Sequence, residues 1–156
     1  MQDANKALVR RFVEEAWNQG RLEAFDELVS RNCRPHDPVF PSLQPGAESL
    51  KRHITMCRDA FPDLTFRIDD VIAEEKEVVI HWTAQGTHRG QFLGMGPTNR
   101  AATATGTSIY RIENGKIAEV WVDWNLLTLL DQLGLAAAPA MAGQGSSEKQ
   151  SRRQAE

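Results

Sequence analysis

Apolar positions recur at helical spacing through the first sixty residues, and every second position after Pro62. Residues 5–18 put Leu8, Val9, Phe12, Ala16 and Trp17 on one face and Arg10, Arg11, Glu14 and Glu15 on the other. That is the period of an amphipathic helix. Asn18-Gln19-Gly20 ends it, with Gly20 as the C-cap. A second short helix is predicted over residues 22–29, with Leu22, Phe25, Leu28 and Val29 inward. Residues 33–38 follow as a loop or short strand, kept extended by Pro35 and Pro38. Pro45-Gly46 marks a turn. Residues 47–61 fit a third helix whose apolar side carries Leu50, Ile54, Cys57 and Phe61.

Leu64, Phe66 and Ile68 then alternate with polar residues and lead to Val71-Ile72. Residues 78–88 give the clearest strand: Val78, Ile80, Trp82 and Ala84 oppose Val79, His81, Thr83 and Gln85. A glycine-rich loop over residues 90–97 carries Phe92, Leu93 and Met95. Residues 101–112 form a threonine-rich strand, Glu113-Asn114-Gly115-Lys116 a hairpin turn, and residues 117–124 the last strand. That strand runs into an apolar amphipathic segment, residues 126–135. Helices precede strands, so the fold class is α+β, with helices packed on one face of an antiparallel sheet. Residues 1–135 make one domain. Residues 136–156 are small and polar, and disorder is expected there.

Composition narrows the class further. The 156 residues are 41% hydrophobic and 25% charged, as in an ordinary soluble domain. A net charge of −3 and scattered basic residues argue against nucleic acid as a partner. No apolar run approaches membrane-spanning length. The N-terminus reads as a polar helix start, not a signal sequence, so a cytoplasmic location is expected. Cys33 and Cys57 match no metal spacing and are expected as reduced thiols. The four histidines (36, 53, 81 and 88) are dispersed, so no metal site is expected. His53 is expected on the exposed or interface side of the third helix. The Gly90–Gly96 run lacks the lysine and helix of a phosphate loop and reads as a mobile lip.

Five segments together resemble the SnoaL-like group of the NTF2-like superfamily. They are FVEEAWNQGRLEAFDELV (12–29), RPHDPVFPSLQPGAESLKRHI (34–54), AFPDLTFRIDDVIAE (60–74), VVIHWTAQGTHRGQFLGMGPTNR (78–100) and TGTSIYRIENGKIAEVWVDWNLLTLLDQLG (105–134). The resemblance implies an α+β cone, a strongly curved sheet capped by N-terminal helices, usually as a homodimer. It implies a polyketide cyclase that closes a ring by intramolecular aldol condensation, with no metal and no cofactor. Relatives use the same cone as isomerases, epoxide hydrolases or plain binding proteins, and fold alone does not choose among these.

Four residues are candidates for the chemistry. If Ile117, Glu119, Trp121 and Asp123 alternate onto the inner face, Asp123 is a carboxyl among bulky apolar neighbours, a setting that suits a general acid/base. The alternative for Asp123 is a cap or a salt bridge. Many members of the group carry Asp where this chain has Asn125, which either contacts substrate or caps the following helix. His88 shares a strand face with Trp82 on strict alternation and could stabilise an enolate, or it orders the loop that follows. His36 and Asp37 could orient one another or tie down a proline-bounded loop. Trp17, Phe40, Trp82, Phe92, Met95 and Trp121 read as walls for a small apolar, polyketide-like ligand. The outward residues Val79, His81, Thr83 and Gln85, with Thr103, Thr105 and Thr107, offer a homodimer face.

Overall fold

The computed structural model describes residues 1–135. The expected disorder of residues 136–156 lies outside that range. Helix α1 (Gln2–Phe12) buries Val9 and Phe12 and runs into a π-helical turn, Val13–Asn18. The wider turn is anchored from two sides. Asn18 pairs reciprocally with the backbone of Phe66, donating to its carbonyl at 3.0 Å and accepting its N–H at 2.7 Å. Arg58 donates to the carbonyls of Trp17 and Asn18 that the helix end leaves free. Gly20 stands at φ +65°, and a Cβ there would lie 2.8 Å from the Arg58 side chain.

A short helix α2 (Phe25–Leu28) leads directly into strand β1 (Val29–His36). The helix expected over residues 22–29 is therefore shorter, and the loop or short strand at 33–38 begins earlier. Along β1, Cys33 and Pro35 are buried while Arg34 and His36 face out. Pro35 is tolerated because β1 is an edge strand. Helix α3 (Ala47–Ala60) follows, then β2 (Thr65–Glu74), β3 (Glu77–Thr87), β4 (Ala101–Glu113), β5 (Lys116–Trp124) and α4 (Leu126–Gln132).

The five strands form one curved sheet in the order β1-β5-β4-β3-β2. β2 through β5 pair antiparallel, as expected, but β1 joins β5 in parallel, so the sheet is mixed. Asn114 and Gly115 both take positive φ in the predicted hairpin turn, at 51° and 73°. The core lies between the inner sheet face and the helices. Phe12, Phe25, Leu28, Ile54, Ile80 and Ile117 are its largest fully buried side chains. A second cluster, with Phe61, Phe92, Leu129 and Leu133, closes one end of the cone.

One local irregularity in β5 decides which side chains reach the interior. Arg111 pairs with Glu119 and the next residue, Ile112, pairs with Ile117, so Ala118 is an extra, unpaired residue. This β-bulge shifts the phase of the strand. Ile117 faces the core, and beyond the bulge Val120, Val122 and Trp124 do so.

Candidate active site

The inner sheet face, α1, its π-helical turn and α3 enclose a cavity of ≈ 130 Å³. Its wall is almost entirely apolar. β3 and β4 supply Trp82, Ala84, Ala104 and Tyr110, and β5 supplies Val122 and Trp124. A Cβ on Gly106 would collide with the Trp82 ring, so the bare backbone is what admits that indole. The Trp82 Nε1–H donates to Ser108 Oγ at 2.9 Å. Burial pushes the Tyr110 phenol up, against a hydrogen bond with Ser108.

Polar chemistry gathers on the side formed by the end of β1 and by α3. Asp37, just past β1, accepts the Val39 N–H on Oδ1 at 2.9 Å. The Trp124 Nε1–H reaches both of its oxygens, at 3.3 and 3.2 Å. Burial raises the Asp37 carboxyl above the usual carboxylate range. These hydrogen bonds oppose the rise, and the charge of Asp123 adds to it. His53 sits between Phe40, whose ring lies edge-on at 4.6 Å, and Trp17 at 6.2 Å. Burial pulls its imidazole down to about 4, so the ring is neutral at physiological pH. Cys57, one turn further along α3, lies with Sγ 3.9 Å from His53 Nε2. Burial, helped by the negative charge of Asp37, pushes its thiol up to about 12.

The residues predicted for the site divide between two places. Trp17, Phe40, Trp82 and Phe92 line the cavity, as does Asp37, with His36 at the rim. Asp123 does not point inward as expected: it is exposed, on the outer sheet face. Trp121 shares that outer face. The physical reason is the Ala118 bulge, which breaks the alternation that would have carried both inside with Ile117. His36 turns outward as well. Its Nε2–H donates to Glu119 Oε2 at 2.8 Å, and its ring stacks on Trp121 at 5.4 Å. Arg34 and Arg111 complete the cluster around Glu119, at 2.9 and 3.1 Å. His36 therefore pairs with Glu119, and Asp37 with Val39 and Trp124, and neither orients the other.

His88 is buried outside the cavity wall. Its Nδ1 accepts the Thr98 N–H at 3.2 Å, and its ring stacks on Phe61 at 5.4 Å. The same histidine's backbone N–H bonds Arg100, so His88 orders the 88–100 loop. Met95 belongs to that loop, bridged to Phe92, and lies off the wall. Asn125 is exposed and caps α4, accepting the Thr128 N–H at 3.1 Å. His53, Cys57, Ser108 and Tyr110 were not among the predicted site residues. For His53 the signal was present: it lies three residues after Leu50 and four before Cys57, the spacing of one helix face. It is half-buried, not on an exposed side of α3.

Among the described residues, no three His, Cys, Asp or Glu side chains converge as a metal site requires. No helix among them is long and apolar enough to cross a membrane.

Comparison with known proteins agrees with this architecture. Residues 7–133 match the family model of the SnoaL-like polyketide cyclases. Nogalonic acid methyl ester cyclase of Streptomyces nogalater is 27% identical over 123 residues, which cover 76% of this chain and 90% of the relative. TsrD from Streptomyces laurentii superposes with a TM-score of 0.79 at 26% identity, covering 87% of this chain and 98% of that one. IdmH from Streptomyces antibioticus gives 0.72 at 28% identity, covering 83% and 98%. The chain belongs to the SnoaL-like polyketide cyclase family.

Proposed function

We propose that this protein closes a ring by intramolecular aldol condensation on a small, flat, apolar carbonyl compound, with Asp37 as the acid/base and no cofactor. The observation that carries the reading is a carboxylate in the wall of an apolar cavity, raised by burial and held by Trp124 and Val39. The carboxylate removes a proton from the carbon beside a carbonyl. The resulting enolate attacks a second carbonyl of the same molecule, forming the C–C bond. The new alkoxide takes the proton back from the Asp37 carboxyl, which returns to its starting state. A carboxyl of raised pKa suits both transfers, being a stronger base when ionised and holding its proton closer to neutral pH. The Streptomyces nogalater relative is named as the cyclase of a methyl ester, nogalonic acid methyl ester, and its likeness over most of both chains supports the substrate class.

The test uses nogalonic acid methyl ester with wild type and Asp37→Asn. The variant is expected to lose about 10²–10⁴-fold in kcat, the range typical of a removed acid/base. Full turnover by Asp37→Asn would exclude the assignment. A second reading, a ligand-binding protein without turnover, is favoured by the outward position of Asp123 and the capping role of Asn125. It predicts tight binding of the ester and no product from wild type.

The homodimer belongs to the same proposal. The outer sheet face presents exposed Thr105, Thr107 and His81 as a semi-polar surface for a second copy.

A further inference from the structure

We infer that His53 is the hydrogen-bond donor that receives the ligand's carbonyl oxygen, so that the cavity selects carbonyl compounds over hydrocarbons of the same shape. The inference rests on, and refines, the ring-closure reading, since it gives the enolate oxygen its partner. As a binding property it can be measured without turnover.

A thiol is a weak donor and a neutral imidazole has one acceptor nitrogen. Cys57 Sγ lies 3.9 Å from His53 Nε2; with the thiol as donor in that pair, the ring proton sits on Nδ1. Among the described residues Nδ1 has no hydrogen-bond partner, yet it is not one of the sealed, unsatisfied nitrogens. His88 Nε2 is such a nitrogen, and His88 lies off the wall. His53 thus keeps an open N–H on a ring that lines the cavity.

The wall also holds three indole N–H donors, those of Trp17, Trp82 and Trp124. The Trp124 N–H serves Asp37, and the Trp82 N–H serves Ser108. Trp17 carries the competing open N–H, on a ring that meets His53 edge-on. Geometry favours His53 because Cys57 occupies the Nε2 side of its ring and leaves Nδ1 as the donor. His53 and Asp37 line the same cavity, so a carbonyl oxygen held by His53 keeps the ligand in the space that Asp37 also lines. A neutral donor also suits an apolar cavity, which would not support an imidazolium. Neutral imidazole is a sufficient electrophile for an enolate.

The experiment compares 1-tetralone with tetralin, two-ring probes that differ by one carbonyl, by quenching of tryptophan fluorescence. Wild type is expected to bind 1-tetralone about tenfold more tightly than tetralin, the effect of a well-made hydrogen bond. His53→Phe is expected to bring that ratio to about one without weakening tetralin. His53→Gln, which keeps an N–H, and Cys57→Ser, which keeps a donor to Nε2, should retain a preference. The inference is overturned if wild type shows no preference, if His53→Phe keeps it, or if Trp17→Phe abolishes it. A readout free of variants is the infrared carbonyl stretch of 1-tetralone bound to wild type. A shift to lower wavenumber than in cyclohexane is expected, and an unshifted band contradicts the inference. A failed cyclisation assay leaves these binding outcomes intact, so the two readings fail separately.

Discussion

Asp37 and His53 occupy the same apolar wall, and burial moves them in opposite directions toward neutrality. Each makes a signed prediction for stability. The folded-state pKa of His53 lies at about 4, below its ordinary 6.5, so between these values the unfolded chain holds the proton and the folded chain does not. Stability is therefore lost as pH falls from about 6.5 towards 4, by an amount on the order of 2–3 kcal/mol from this residue. Urea unfolding at pH 7 and pH 4.5 should show a smaller pH dependence in His53→Phe than in wild type; an equal dependence would contradict the assignment. Asp37 is raised, so the folded chain holds its proton up to a higher pH than the unfolded chain, and stability falls as pH rises through that window. Asp37→Asn removes this cost while its amide oxygen still accepts from Val39 and Trp124. It should unfold at higher urea than wild type at pH 7, and a lower midpoint would count against a strained buried carboxylate. Asp37 was legible in the sequence as a carboxyl held between prolines. Its separation from His36 was not, because residues 33–38 could be read as loop or strand, and the strand ends at His36, which faces out with Arg34, while Asp37 follows past its end.

At the scale of elements, alternation along β3 and β4 was plain, and Trp82 and Ala84 face the interior as their pattern implies. β5 deceived for a physical reason. Ile117, Glu119, Trp121 and Asp123 form a regular odd-numbered series, and nothing in the residue types announces that Ala118 is skipped by the ladder. The bulge turns Val122 and Trp124 inward, and so brings the Trp124 N–H to Asp37. β1 was obscured by Pro35 and by its parallel pairing to a strand more than eighty residues later. Gly106 on β4 is where two tryptophans of the wall, Trp82 and Trp124, come together. A Cβ there would collide with the Trp82 ring and lie 2.7 Å from the Trp124 Cβ. Gly106→Ala should destabilise the fold by about 1–3 kcal/mol, the usual effect of overpacking. Chemical denaturation checks this, and an unchanged midpoint would mean the two tryptophans are free to shift.

For the whole molecule, the two faces of one curved sheet have separate chemistries. The inner face is largely apolar, with Asp37, His53 and Cys57 on its β1–α3 side and the Tyr110 phenol on β4. The outer face carries the network in which Glu119 joins Arg34, Arg111 and His36, with Trp121 between the His36 ring and the Arg111 guanidinium. A homodimer through the outer face would leave every cavity complete in its own protomer. Sedimentation equilibrium at micromolar concentration is expected to give twice the 17.4 kDa chain mass; a monomer would contradict that proposal. The central claim is that the acid of this cyclase fold lies at the end of the first strand and not on the last. The most direct measurement is the rate of ring closure of nogalonic acid methyl ester by wild type, Asp37→Asn and Asp123→Asn. The account predicts a loss of about 10²–10⁴-fold in Asp37→Asn and a wild-type rate in Asp123→Asn. Retained turnover in Asp37→Asn with its loss in Asp123→Asn would contradict it.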